Sequence, residues 1–181
     1  MGDKIKIVPY DPQWPELFRD LGARLRAALG EVALRIDHIG STSMPGMAAK
    51  PIIDVQISVA SLDPVDPFRA PLERIGFVWQ ADNPELTKRY FRESPGHRRT
   101  HIHVRRAGHW SEQFALLFRD YMRTHPNDAR AYAELKYRLA EELGADRHGY
   151  VDAKGPFIWE TMVKADAWAQ ETGWLPGPSD A

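Results

Sequence analysis

The sequence predicts an α+β fold in which a mixed or antiparallel sheet with flanking helices precedes a helical C-terminal third. Three observations predict it. Strand-like runs, one of them nearly continuous in Ile and Val, alternate with helical stripes up to about residue 108. Pro95-Gly96, a turn dipeptide between two such runs, marks an antiparallel hairpin. From about residue 111 onward the apolar residues recur at helical spacing.

The elements follow in order. Ile5 to Val8 is a short strand candidate. Asp11-Pro12-Gln13-Trp14-Pro15 starts a helix, because proline suits a first helical turn. Leu17, Phe18, Leu21, Leu25 and Leu29 carry that helix to a stop at Gly30. Val32, Leu34, Ile36 and His38 alternate as a strand. Gly40 to Lys50 is a glycine- and proline-broken turn, and Pro51 to Val59 is a strand apolar enough for burial on both faces. Phe68 to Ile75 is a short helix ending at Gly76, with a strand over Phe77 to Trp79. The hairpin pairs Lys88–Glu93 with Arg99–Arg105. Helical stripes then run through Phe114 to Met122, Tyr132 to Leu143, and about Pro156 to Ala169. This organisation predicts one domain over about 1–170, with a sheet-containing core to about 108, a helical part from about 111, and a flexible, proline-rich tail over 171–181.

Bulk properties exclude several classes. A chain of 181 residues buries about 70% of its unfolded surface, enough for a core without staples. It has no cysteine, so disulfides and thiolate metal sites are excluded, and a reducing, cytoplasmic setting is expected. Met1 to Tyr10 lacks the apolar region of a signal peptide. No run reaches the ~20 apolar residues of a membrane span, so no membrane partner is expected. A net charge of −1 and the lack of a reader motif argue against nucleic acid as a partner. Cations nonetheless concentrate between Lys88 and Arg106, with Glu93 the lone acid. Such a stretch is either a solvated hairpin face or an anion site.

The block His38-Ile39-Gly40-Ser41-Thr42-Ser43 … Lys50-Pro51-Ile52-Ile53-Asp54-Val55-Gln56 carries the chemistry. Glycine lets backbone approach a ligand closely. Ser41, Thr42 and Ser43 offer hydroxyls and N–H groups at a helical start, a cradle for phosphate. Asp54 is an acid in an apolar strand and needs a partner, such as a divalent metal. Gly46 to Pro51 is not a P-loop, lacking the second glycine and the Ser/Thr after lysine.

This block resembles the signature of the polymerase-β-like nucleotidyltransferase superfamily. The whole chain is more closely similar to the GrpB-like family. The shared pieces are Tyr10 to Pro15, His38 to Asp54, His101-Ile102-His103-Val104, Phe118 to Arg123, Glu134-Leu135-Lys136, Tyr150 with Lys154, and Phe157-Ile158. The resemblance implies a nucleotidyltransferase-like sheet and metal-dependent transfer of a nucleotidyl group from an NTP to a small-molecule acceptor. Asp54 would hold Mg or Mn, and the Gly40-Ser41 turn the phosphates.

One departure weakens catalysis: Gln56 stands where a second acid is expected, on the same strand face as Asp54. This keeps open a degenerate, nucleotide-binding or regulatory module. His101 and His103 also share a strand face. If their strand lies beside that of Asp54, an Asp/His/His cluster forms, in which His103 also serves acid–base work, and Zn becomes a possible ion. The alternative is a pair of histidines satisfied on a hairpin surface. Arg89, Arg92, Arg99 and Arg105 from the hairpin, with Lys50, Lys136 and Lys154, are candidate triphosphate contacts. Asp37 or His38 is expected to face the cleft. Trp14, Trp79, Tyr90, Phe91, Trp110 and Trp159 are expected in the core or lining a groove.

Overall fold

A computed structural model describes residues 4–181; the start of the expected 1–170 domain therefore lies outside the described residues. Helix α1, Trp14–Leu29, follows Gln13 with Pro15 in its first turn. Its buried stripe is Trp14, Phe18, Leu21, Leu25 and Leu29. Strand β1, Arg35–Ile39, leads through Gly40 and a single 3₁₀ turn, Ser41–Ser43, towards β2, Ile53–Val59. Helix α2, Asp66–Arg74, and β3, Phe77–Trp79, precede the hairpin of β4, Lys88–Glu93, and β5, Thr100–Arg106. Four helices finish the chain: α3, Trp110–Thr124; α4, Pro126–Leu143; α5, Arg147–Ala153; and α6, Gly155–Thr172.

The five strands form one mixed sheet in the order β1-β2-β5-β4-β3. Every pairing is antiparallel except β2 with β5, which is parallel. The sheet's two faces differ in kind. Ile53, Val55, Ile57, Ile102, Val104 and Phe91 pack against α1 and α2 in the main core. Burying side chains of this size contributes roughly 1.5–3 kcal/mol each. The opposite face carries polar residues and is covered at one end by α3, where Gln56 and Ser58 bond to Glu112. A second apolar cluster seats Met44 and Met47 of the loop after β1 against Met122 and Tyr132. That loop is thereby tied to the helical part, and a cleft is left between them. No helix among the described residues is long and apolar enough to cross a membrane.

The structure departs from the sequence expectations in four places. The Ile5–Val8 strand reduces to an isolated bridge between Val8 and Ala49. Helix α5 was not expected; its seven residues are too few to show a stripe. Trp110 and Trp159, expected in a core or groove, are each 59% exposed. The tail expected to be flexible lies along β1. Ser179 Oγ accepts from Ile36 N at 2.8 Å, and Asp180 accepts from His38 N at 2.9 Å and Arg119 Nη1 at 2.8 Å. An open sheet edge offers unpaired N–H and C=O groups, and the polar tail satisfies them.

Candidate active site

Parallel pairing of β2 with β5 sets Asp54 beside His101 and Gln56 beside His103. Asp54 Oδ1 lies 3.2 Å from His101 Nδ1 and 3.5 Å from His103 Nε2. One ligand atom from each residue fits within 4.8 Å of the others. Two donors bound cis to one ion at ~2.1 Å sit roughly 3.0–3.4 Å apart, so this oxygen–nitrogen spacing fits a divalent cation with little movement. Burial opposes the charge on Asp54, but hydrogen bonds from His101 and His103 outweigh it and hold the carboxyl well below the usual range. Burial pushes His103 down, against the pull of Asp54, which favours the neutral imidazole that binds metal. The Nδ1 of His103 is buried without a partner. Tyr90, opposite His103 on β4, lies beside both imidazoles, at 5.6 and 5.3 Å between ring centres.

Gly40 makes the approach to this cluster possible. Its φ is +68°, and a Cβ there would come within 2.8 Å of Asp54 Oδ2. The glycine therefore serves the carboxylate directly, whereas the sequence suggested a service to ligand phosphate.

The cluster opens onto a cavity of about 600 Å³ between sheet and helices. Five cations line it, Lys50, Lys88, Lys136, Arg147 and Lys154, with Asp54 the one carboxylate among the described lining residues; Lys88 also pairs with Glu85 at 2.7 Å. Lys136 donates to Ser41 Oγ at 3.0 Å and to the Ala48 carbonyl, and sits over the Tyr132 ring at 4.7 Å. Lys50 and Lys154 flank the Tyr150 ring at 4.7 and 4.9 Å. Burial, with Lys154 and Lys50 nearby, pushes Lys136 down to about 7. Burial, with Lys50 nearby, pushes Lys154 down to about 8. An anion entering the cavity relieves both effects.

The residues singled out from sequence divide into two groups. Asp54, His101, His103, Gly40, Ser41, Lys50, Lys136 and Lys154 meet around this cavity. Thr42 touches its wall, but its hydroxyl donates to the Ile52 carbonyl at 3.1 Å and meets His38 Nε2 at 3.0 Å. Ser43 Oγ is turned onto the Gly40 carbonyl. Both hydroxyls thus hold the turn together. Arg92 and Arg99 line an adjoining cavity and share Glu93 Oε1, at 3.5 and 3.0 Å. Arg89, expected at the cleft, is on the apolar side of β4 and pairs with Asp63; Lys88, one residue away, takes the cleft side. Arg105 pairs with Glu85. Asp37 and His38 both miss the cleft. Asp37 is locked to Arg35 at 2.8 Å, and His38 is stacked on Phe18 with ring centres 4.7 Å apart.

Gln56 is fully buried and donates to the Glu112 carbonyl at 3.2 Å. Helix α3 therefore covers the position of the missing second acid. Sequence reasoning did not assign Tyr132 and Tyr150 as seats for lysines, or Lys88, Arg147 and His148 as lining residues, whereas Tyr90, expected in the core or a groove, does line the cavity. The alternation of Lys88 with Tyr90 and Arg92 on β4 was the signal available for Lys88.

A Gly-Ser turn leading to a strand acid, on a mixed sheet backed by helices, defines a nucleotidyltransferase-like fold. Cid1, in complex with its short product ApU, shares this fold with a TM-score of 0.51 at 13% identity, over 75% of this chain and 43% of Cid1. The chain belongs to the GrpB protein family, whose profile matches residues 4–164. The crystal structure of conserved protein GrpB from Enterococcus faecalis matches with a TM-score of 0.81 and 34% identity, covering 90% of this chain and 99% of that one. The UPF0157 protein PA4798 of Pseudomonas aeruginosa is 39% identical over 90% of this chain and 68% of its own length. A dephospho-CoA kinase of Mycolicibacterium paratuberculosis is 36% identical over 95% of this chain and 48% of its own. The chain thus spans about half the length of several curated relatives it matches.

Proposed function

We propose that the cleft binds a nucleoside triphosphate with a divalent cation and transfers its nucleotidyl group to a small-molecule acceptor. One observation carries this reading: the Asp54, His101 and His103 cluster opens onto a cavity lined by five cations. Asp54, His101 and His103 would hold the ion, and two imidazoles favour Mn²⁺ or Zn²⁺ over Mg²⁺. A bound divalent ion supplies charge neutralisation and Lewis acidity. Lys50, Lys136 and Lys154 hold phosphate charge, and their tyrosine seats fix their positions before the ligand arrives. Ser41 stands at the cavity wall within reach of Lys136 and adds a hydroxyl to that cradle. A cysteine-free chain working on nucleotides fits the cytoplasm. Kinase activity belongs to the longer relatives as whole proteins; this chain has no P-loop through which to propose it.

The test is transfer of label from α-³²P-NTPs to a metabolite pool with Mg²⁺, Mn²⁺ or Zn²⁺. Transfer by the wild type that is lost in Asp54→Ala is expected. Nucleotides that neither bind nor turn over with any of these ions would sink the reading. The burial of Gln56 favours a second reading, a nucleotide-binding regulatory module. Tight NTP binding without turnover would select it.

A further inference from the structure

The cationic wall continues past the metal-type cluster. A second cavity of about 360 Å³ adjoins the first, and Lys50, Ile52, Tyr90, His101, Arg147 and Val151 line both. Six cations face it: Lys4, Lys6, Lys50, Arg92, Arg99 and Arg147. No Asp or Glu does. Arg92 and Arg99 converge on the single carboxylate of Glu93, which also accepts from Thr100 N at 3.0 Å, so this group leaves an excess of positive charge.

We infer that this second cavity binds the phosphate of a phosphate-bearing acceptor, with the acceptor's hydroxyl directed past His101 to the nucleotide. The inference rests on the nucleotidyltransferase reading of the larger cavity. Lys136 and Lys154 line the larger cavity alone, whereas Lys4, Lys6, Arg92 and Arg99 line the second cavity alone, so this second set serves another anion. A carboxylate brings one charge and two oxygens to a site of this kind, whereas a phosphate monoester offers two charges and three acceptor oxygens to the lysines Lys4 and Lys6 and the guanidinium forks of Arg92 and Arg99. A cavity of this size takes a small metabolite, not a polymer.

The acceptor oxygen bonds to the α-phosphorus of the NTP while the bond from that phosphorus to the oxygen bridging it to the β-phosphorus breaks. Pyrophosphate departs with the bonding pair, and the acceptor's hydroxyl proton passes to water.

Calorimetric titration with inorganic phosphate tests the site on the full chain. Arg92→Ala/Arg99→Ala is expected to weaken phosphate binding about tenfold or more, the scale of a lost charge-assisted contact. Arg89→Ala, on the other side of β4 and paired with Asp63, is expected to leave it within about twofold. Lys6→Glu, which leaves the Glu93 cluster intact, is expected to weaken it in the same direction, with melting temperature confirming the fold. Acetate is expected to bind at least about tenfold more weakly than phosphate, and phosphate to bind alongside a non-hydrolysable NTP analogue. Phosphate binding untouched by both Arg92→Ala/Arg99→Ala and Lys6→Glu, acetate binding as tight as phosphate, or phosphate and nucleotide excluding each other would overturn the inference. NTP binding is measured separately. Its absence with phosphate binding intact counts against the nucleotidyltransferase reading, and its presence with phosphate binding unaffected counts against the second site.

Discussion

Replacing Gly40 by alanine tests how the carboxylate site is built. At φ +68° and ψ −176°, a region held almost entirely by glycine, an L-residue costs roughly 1–3 kcal/mol. The added methyl meets Asp54 Oδ2 at 2.8 Å, its Cβ at 3.1 Å and its Cγ at 3.2 Å. Relief requires moving the carboxylate, and such overpacking adds roughly 1–3 kcal/mol. The sum of about 2–6 kcal/mol corresponds to a fall in melting temperature of roughly 4–24 °C for a chain of this size. Because Asp54 is displaced from His101 and His103, affinity for Mn²⁺ or Zn²⁺ falls as well. The two effects separate in a double-mutant cycle. In Asp54→Ala the oxygen and Cγ contacts vanish while the Cβ contact stays, so the Gly40→Ala penalty shrinks by about 1 kcal/mol. Differential scanning fluorimetry and metal titration read both quantities. A Gly40→Ala variant with unchanged melting temperature, or with the same penalty in both backgrounds, refutes the argument.

Three further outcomes follow from the electrostatics. At pH 8 Lys136, at about 7, and Lys154, at about 8, are partly unprotonated, and a polyphosphate that re-protonates them takes up about one proton. Calorimetry in buffers of different ionisation enthalpy measures that uptake; binding heats independent of buffer contradict it. Burial pushes His38 down to about 4 from an unfolded value near 6.5, so below pH 6.5 the unfolded chain binds the extra proton and stability falls by about 3 kcal/mol on reaching pH 4. Denaturant titrations across that range should lose this component in His38→Gln, whatever the variant's baseline. Gln56→Glu sets a carboxylate against the Glu112 carbonyl in a fully buried position, and a loss of roughly 3–5 kcal/mol with no added metal equivalent is expected by denaturation and metal stoichiometry.

Much of the site was legible because strand periodicity is strict. The spacing of Asp54 with Gln56, and of His101 with His103, fixed which side chains share a face. The remaining question, whether the two strands are neighbours, is one of topology, and the parallel β2/β5 pairing answers it. The stripe of α1 was legible for the same reason of period. What was not legible depends on elements distant in sequence. The fate of Gln56 is set by α3 and that of the tail by the open edge of β1. Thr42 and Ser43 are a different case, taken up by the nearby carbonyls of Ile52 and Gly40. The hydroxyl run reads the same whether it faces ligand or backbone. Lys136 and Lys154 were visible as cations, but their tyrosine seats come from tertiary packing.

The parallel pairing of β2 with β5 also has a kinetic consequence. Asp54 and His101 are 47 residues apart, with α2, β3 and β4 lying between them. The donor set comes into being when that long loop closes, a slow class of event because entropy is lost before contacts repay it. A cation held there acts as a clasp on the closure, so added Mn²⁺ or Zn²⁺ should slow unfolding far more than it speeds refolding.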